Sequence, residues 1–337
     1  MTSAIDLSIL WAFIIAFAVF VYVVMDGFDL GLGILFPLFP AKEDRDVIMN
    51  SVAPVWDGNE TWLVLGGGGM MAAFPLAYAV LMPALYTPMI AMLIGLIFRG
   101  VAFEVRWRTT RQEQNRWDTA FAGGSALAAL AQGIALGAIL QGIHVEGRHY
   151  AGGWWDWLTP FSILTGLSLV IGYALLGATW LVLKTEGELR DKAYRLSWFL
   201  LFAMLGAIVV VSVATPLLSV HYADRWFTRP AIFFAAPVPI AVAAVAALLL
   251  RALTNRYDYQ PFFLTLALFA LSYAGLGISM YPFIVPQSIT IWQAAAPENS
   301  QVFMLFGVSV LIPLILGYTA WAYWVFRGKV QPGHGYH

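Results

Sequence analysis

Met25-Asp26-Gly27-Phe28-Asp29-Leu30-Gly31 stands at the end of a long apolar run that begins near Leu7. Its two carboxyl groups are three residues apart, which places both on one face of a helix. A carboxyl group inside a membrane span is costly, so such residues usually face protein or water and usually have a function. The stretch therefore predicts a membrane helix with a functional acidic face.

The composition supports a membrane protein. The chain has 337 residues, of which 61% are hydrophobic and only 11% are charged. A soluble domain cannot bury so much apolar surface, so we expect an all-α polytopic membrane protein that forms a single membrane domain over 1–337. The net charge of −1, with basic residues spread along the chain, argues against a nucleic-acid partner. The absence of cysteine excludes disulfides, thiolate zinc sites, iron–sulfur clusters and thiolate-ligated haem.

Segments of about 20 mostly apolar residues predict nine membrane spans. The predicted spans are 7–36, two within 51–100, 118–141, 160–183, 197–220, 230–250, 262–282 and 301–326. Within 51–100, the prolines indicate a turn near 74–81.

The lysines and arginines predict the orientation. Fourteen of the 18 fall in one set of alternate loops and the tail, three fall in the opposite loops, and Arg99 lies within a span. The larger set is Lys42, Arg45, Arg106, Arg108, Arg111, Arg116, Lys184, Arg190, Lys192, Arg195, Arg251, Arg256, Arg327 and Lys329. Since basic loops stay in the cytoplasm, we expect the N-terminus outside and the C-terminus inside.

This orientation brings further acids to the same depth. Asp57 lies in the first two turns of the second span, and Glu104 lies at the inner end of the third. With Asp26 and Asp29, four carboxyl groups from three spans are expected at the cytoplasmic side. A carboxyl group in an apolar site can bind and release a proton near neutral pH, and several of them make a relay. Arg99 is the nearest base that could keep one of them ionised.

Each acid also has a simpler interpretation. Asp26 and Asp29 flank a glycine and could mark a helix end at the membrane surface. Asp57 could be a helix N-cap. Glu104 could pair with Arg99, Arg106 or Arg108 near the headgroups. The conjunction of four acids on one side favours a proton or cation pathway.

Histidine is absent from every predicted span. His144, His149 and His221 fall in or beside outer loops, and His334 and His337 are in the tail. Membrane haem usually takes histidine ligands, so we expect no haem, no redox centre, no metal and hence no catalytic residue in this chain.

Three motifs resemble subunit II of the cytochrome bd-type quinol oxidases. They are Asp26-Gly27-Phe28-Asp29-Leu30-Gly31, the stretch from Ala53 to Trp62, and the stretch from Phe98 to Arg106. The later stretches Met280–Pro286 and Tyr318–Trp324 also resemble the end of the family's sequences. The short loops are closer to the cyanide-insensitive branch of the family.

The resemblance implies a fold and a set of partners. The nine helices would form two four-helix bundles, about 1–145 and 155–285, with a peripheral last helix at 301–326. The chain would pack on a haem-bearing subunit I, which holds two haem b groups and one haem d, in a bacterial inner membrane. The complex would oxidise ubiquinol or menaquinol and reduce O2 to water. The resemblance also allows a small single-span accessory subunit, and it leaves open whether this chain holds a structural quinone.

The resemblance also implies roles for single residues. The family's proton path matches Asp57 and Glu104, with Asp26 and Asp29 in its conserved first motif, and Trp56, Asn59 and Arg99 support them. Glu104 departs from the aspartate frequent at this position, so its carboxyl group is one methylene further out. A secondary transporter or ion channel, with the same acids as a cation site, is the alternative, but it would need a site near the midplane.

Overall fold

The computed structural model describes residues 6–330, and their regular elements are helices apart from two short β-hairpins. The first half comprises α1 (Leu7–Leu35), a 3₁₀ turn (Phe36–Leu38), α2 (Lys42–Asn50), α3 (Trp56–Ala73), α4 (Pro75–Ala84), α5 (Tyr86–Arg106), α6 (Arg111–Gln141), β1 (Val145–Glu146) and β2 (His149–Tyr150). The second half comprises α7 (Pro160–Lys184), α8 (Gly187–Leu218), α9 (Val220–Phe227), α10 (Ile232–Ala235), α11 (Pro237–Thr254), α12 (Gln260–Met280), β3 (Phe283–Val285), β4 (Ile289–Thr290), α13 (Ile291–Ala294) and α14 (Glu298–Val325).

Eight helices of the described chain are long and apolar enough to cross a membrane. They are α1 with its 3₁₀ turn, α5, α6, α7, α8, α10 together with α11, α12 and α14. Each matches a predicted span. The predicted second span matches α3, which has 18 residues and a polar first turn and a half and is not among the eight. The chain is therefore an all-α, multi-pass membrane protein.

The predicted turn at 74–81 is wrong, because α4 occupies most of it. The helix breaks at Phe74, with φ −132° and ψ 61°, and again at Leu85, with φ −107° and ψ 12°. Pro75 begins α4, where proline costs little because the first N–H groups of a helix have no helical partner. Pro88 likewise lies in the first turn of α5. Pro75 and Pro88 therefore mark helix starts, whereas Pro83 lies inside α4 near its end.

Two helices extend further into the basic loops than hydropathy predicts. α6 begins at Arg111, with a capping box formed by Thr110 and Glu113, and not at 118. α8 begins at Gly187 and not at 197. The capping box accounts for the earlier start of α6, because it satisfies the first N–H groups of the helix, and apolar length alone does not predict it.

Glycine brings α1 and α7 into backbone contact. A Cβ atom on Gly31 would lie 1.8 Å from the carbonyl oxygen of Tyr173, and one on Gly177 would lie 2.5 Å from the carbonyl carbon of Gly31. Small residues allow such close crossings between membrane helices. One turn away, Phe28 stacks on Trp180 at 4.2 Å between ring centroids. The acidic stretch of α1 is therefore held at the centre of the helix assembly.

Ion pairs join α2, α5 and α6 where these helices meet at one end of the assembly. The guanidinium group of Arg106 contacts Asp118 at 2.5 Å and Asp46 at 2.7 Å, and Arg45 contacts Asp118 at 2.8 Å. Arg106 is 1% exposed, so its charge requires these partners. This network fixes the end of α5, the helix that carries Arg99 and Glu104.

The last helix, α14, lies at the periphery. Gln301 is its one buried residue among those the structure describes. After α14 the chain returns across the end of α7, where the backbone N–H of Val330 donates to the carbonyl oxygen of Lys184 at 2.8 Å. Lys329 forms an ion pair with Asp258 at 2.6 Å. The tail therefore ties α14 to the end of α7 and to the loop between α11 and α12.

Candidate functional site: a buried acid cluster and two exposed carboxyl groups

Five polar residues from α1, α3 and α5 meet in the interior, and we call them the buried acid cluster: Asp26, Asp29, Asn59, Glu60 and Arg99. The aspartates, the asparagine and the arginine are each 1% or 2% exposed, whereas the side chain of Glu60 is 30% exposed. The cluster contains three carboxyl groups and one guanidinium group. Since buried charges need partners, the way these groups pair determines which of them can titrate.

Arg99 pairs with two of the three acids. Its guanidinium group forms a short ion pair with the carboxylate of Asp26 and lies 3.2 Å from Oε1 of Glu60. The guanidinium group also lies over the indole ring of Trp56, at 5.4 Å from the centroid. An arginine at such a depth keeps a fixed positive charge, so it holds these partners in the ionised form.

Asp29 receives a neutral donor instead. Nδ2 of Asn59 donates to Oδ2 of Asp29 at 2.7 Å, and Asp29 forms no ion pair within the described chain. Its other oxygen, Oδ1, is buried and has no hydrogen-bond partner. A buried carboxylate without a cation is costly, so the uncharged acid is the form that fits this position.

A chain of hydrogen bonds joins α1, α6 and α7 beside Asp26. It begins at Tyr22, which lies one turn before Asp26 on α1. The amide of Gln132 donates to the hydroxyl of Tyr22 at 2.8 Å, and the hydroxyl of Tyr173 donates to Gln132 at 2.7 Å. This polar chain leads from the cluster into the apolar interior.

Asp57 and Glu104 lie apart from the buried acid cluster. Both side chains are exposed on the surface of the isolated chain, Asp57 in the first turn of α3 and Glu104 in the last turn of α5. The ring of Trp56 packs on Phe103 at 5.3 Å between centroids. The residues that precede the two acids are thus in contact, and Trp56 separates this surface from Arg99. The four predicted acids form a buried pair and an exposed pair.

The structure also tests the simpler interpretations of these acids. Asp26 and Asp29 lie inside α1 and are buried, so they do not mark a helix end. Val55, and not Asp57, is the N-cap residue of α3. Glu104 forms no ion pair with any arginine of residues 6–330, since Arg99 and Arg106 pair with other acids.

Sequence reasoning missed several members of the site. Glu60 belongs to the quoted motif around Trp56 and follows Asp57 by three residues, so the rule of helical spacing could have found it. Tyr22, Gln132 and Tyr173 gave a weaker signal, a polar group in an apolar helix. Their mutual contacts join residues 41 and 110 positions apart, which periodicity does not reveal.

The described chain has no group of three His, Asp or Glu side chains that could hold a metal ion. His144, His149 and His221 lie outside the eight apolar helices, and the exposed imidazole of His144 lies 3.4 Å from Glu146. His334 and His337 lie outside the described residues. No histidine of the described residues therefore lies within the eight apolar helices.

The fold and the cluster define a class: a multi-pass helical membrane protein with ionisable groups held inside it. The sequence model for cytochrome bd terminal oxidase subunit II matches residues 7–326. The chain therefore belongs to the cytochrome bd terminal oxidase subunit II family, whose members are subunits of an oxidoreductase complex.

Individual relatives agree with this assignment. The chain is 32% identical to "Cytochrome bd-I ubiquinol oxidase subunit 2" of Escherichia coli strain K12, over 96% of this chain and 95% of the relative. It is 28% identical to "Cytochrome bd ubiquinol oxidase subunit 2" of Bacillus subtilis, over 96% of both. A chain of the solved bd oxidase from Geobacillus thermodenitrificans superposes with a TM-score of 0.73 at 17% identity, over 95% of this chain and 99% of that one, and shares the fold.

Proposed function

We propose that the chain is the non-haem subunit II of a bd-type terminal quinol oxidase. It stabilises a haem-bearing subunit I, which oxidises quinol and reduces O2 to water, and it conducts protons from the cytoplasm through membrane carboxyl groups. The family and the full-length relatives support the first role. One observation carries the second: Asp57 and Glu104 are exposed and without ion pairs in the described chain, beside a cluster with a fixed charge.

The ion pairs distinguish the acids that keep a constant charge from those that we propose carry protons. Asp26 is bound to Arg99, and a carboxylate held by a guanidinium group stays ionised. Asp57 and Glu104 have no such partner among the described residues, so no fixed cation holds their carboxyl groups. The haem groups of the partner would supply the redox chemistry when bound there. On this proposal, Asp57 and Glu104 carry protons, while Asp26 and Arg99 provide a constant charge behind Trp56.

We further propose nine spans, with α3 crossing the membrane as the second. The basic loops on either side of α3, α4 and α5 must share a face, which requires an even number of crossings. The spans then form two bundles, 1–145 and 155–285, beside the last helix at 301–326. The N-terminus lies outside and the C-terminus in the cytoplasm of a bacterium.

The exposed face shared by α3 and α5 is the proposed contact with subunit I. Thr61, Val64 and Met71 follow Asp57 along α3, and Ile97 and Val101 precede Glu104 along α5; all are exposed in the isolated chain. A partner packed there would cover both acids and place them on a path between the subunits.

Neutral substitutions test the proton path. Asp57→Asn or Glu104→Gln in the whole complex is expected to slow O2 consumption on the order of 10²-fold, because each removes a group that carries a proton. Haem content and subunit stoichiometry should stay unchanged. The matched control is Glu186→Gln, an exposed acid before α8. Normal quinol oxidase turnover in both variants would exclude these residues from the path.

The transporter alternative is tested by purification. The oxidase proposal predicts that the isolated complex shows the visible spectrum of haem b and haem d, with the pigment on another chain. A colourless protein that remains alone in detergent would favour a transporter.

A further inference from the structure

One side chain of the peripheral helix α14 reaches the buried acid cluster. The hydroxyl of Tyr323 donates to Oδ1 of Asn59 at 2.9 Å. Its ring packs edge-on against Phe28 and Trp180, with centroids 6.4 and 6.3 Å apart. Gln301 is the one fully buried residue of α14 in the described chain, so this contact brings a polar group of a largely exposed helix to the cluster.

The hydrogen bonds around Asn59 fix the orientation of its amide. Nδ2 lies 3.3 Å from the carbonyl oxygen of Met25, which can only accept. The NH₂ group must therefore point toward Met25 and Asp29, and the amide oxygen points the other way. The hydroxyl of Tyr323 donates to that oxygen. With both sides of the amide satisfied, Asn59 presents a donor to Asp29 and cannot turn over without losing three hydrogen bonds.

The tail holds Tyr323 in this place. The ammonium group of Lys184 donates to the carbonyl oxygens of Phe326 and Gly328, just past the end of α14. Lys329 donates to the carbonyl oxygen of Thr185 at 3.2 Å and pairs with Asp258. These contacts anchor the segment that follows Tyr323 on the second half of the chain.

We propose that Tyr323 is a positioning residue: it locks the amide of Asn59 toward a protonated Asp29. The site residues of the proton path do not include it, and its action is indirect, through Asn59. The proposal gives Asp29 a distinct part within the proposed function, as a neutral acid that keeps its proton beside the ionised pair of Asp26 and Arg99.

Infrared absorption spectra of the purified complex, compared between the parent and each variant, test this proposal. A protonated carboxyl group absorbs in a region free of carboxylate bands, so Asp29→Asn should remove one band from it. Tyr323→Phe keeps the ring and removes the hydroxyl, so it should shift that band to higher wavenumber, because the freed amide donates less well to the Asp29 carbonyl. The control is Tyr318→Phe, an exposed tyrosine of the same helix, which should leave the band in place.

A double variant separates positioning from a general structural effect. If Tyr323 acts through Asn59, Tyr323→Phe should cause no further shift in an Asn59→Ser background, because coupled residues are not additive. Three outcomes would overturn the proposal: no band that depends on Asp29, no shift in Tyr323→Phe, or an equal shift with and without Asn59. The part that Tyr323 would play in proton transfer rests on the proposed function of the chain. Its readout is independent of turnover, so failure of Asp57→Asn and Glu104→Gln to slow the enzyme is a separate result.

Discussion

Arg99 is the one cation of the buried acid cluster, and its contacts determine the state of every acid around it. Asp26 and Glu60 are its ion-pair partners, while Asp29 depends on a neutral amide. A buried ion pair contributes little net stability, but removing one partner leaves an uncompensated charge. We therefore predict that removing one member of the Asp26–Arg99 pair lowers stability more than removing both members.

Removing the guanidinium group tests this. Arg99→Leu should lower the stability of the purified complex by about 3–5 kcal/mol, because the carboxylate of Asp26 is left buried without a cation. The double variant Asp26→Leu with Arg99→Leu should recover part of the loss. Thermal unfolding in detergent measures both, with exposed Arg108→Leu as the control. A double variant no more stable than the single one would contradict the pairing.

The sequence identified most of this cluster but not its connections. Asp26, Asp29 and Arg99 were recognisable because charge is rare in apolar helices, and Asn59 came with the family motif. The positive-inside pattern placed the acids at one depth. It could not tell that Asp57 and Glu104 face outward, because depth says nothing about rotation around a helix axis. That rotation is set by contacts such as Trp56 on Phe103, which depend on the whole packing.

At the scale of elements, α14 makes polar contacts at both of its ends. Trp11 donates to the carbonyl oxygen of Gln301 at 3.1 Å near its start, and the tail is bound at its finish. Asp258, in the loop between α11 and α12, accepts from Lys329 and pairs with Arg190 at 3.1 Å. One carboxylate therefore joins the tail to α8.

Because Asp258 is ionisable, its contacts with Lys329 and Arg190 depend on pH. Partial burial raises the pKa of Asp258, but Lys329, Arg190 and Tyr194 lower it more, so it lies below its ordinary value of 3.8. A carboxyl group whose pKa falls on folding stabilises the fold above its ordinary pKa, and the contribution disappears as pH falls through the lowered value. The contribution of Asp258 to tail attachment should therefore be constant above about pH 5.

The variant Asp258→Asn tests this dependence. At neutral pH it should lower stability by about 1 kcal/mol, a value typical of a partly exposed ion pair. The difference in melting temperature between variant and parent should shrink as pH falls below the ordinary pKa of Asp258 and vanish below the lowered pKa. Exposed Asp191, which pairs with Arg256, offers a control, and Asp191→Asn should have a smaller effect. A difference that persists at the acidic end would show that charge is not the cause.

On the scale of the whole molecule, the length of the apolar segments predicted the membrane spans well. It did not predict that α6 and α8 begin before their apolar segments. Eight predicted spans correspond to apolar helices, and α1 ends within one residue of its predicted end. The error at α4 arose because proline was taken as a sign of a loop, although proline is also favoured at a helix start. Helix pairing was out of reach, since close crossings such as Gly31 on Gly177 join residues far apart in the chain.

The chain contains no cysteine, so single cysteines can map its outer surface without background reaction. Val64 on α3 and Ile97 on α5 lie along the face that carries Asp57 and Glu104, whereas Phe199 and Val213 are equally exposed on α8. A photoreactive maleimide placed at Val64→Cys or Ile97→Cys should cross-link to the haem-bearing subunit, because that face is the proposed contact. At Phe199→Cys or Val213→Cys it should react with lipid only, since α8 belongs to the opposite half of the chain. Cross-links from α8 and none from α3 or α5 would leave Asp57 and Glu104 facing lipid, where a proton path between the subunits cannot run.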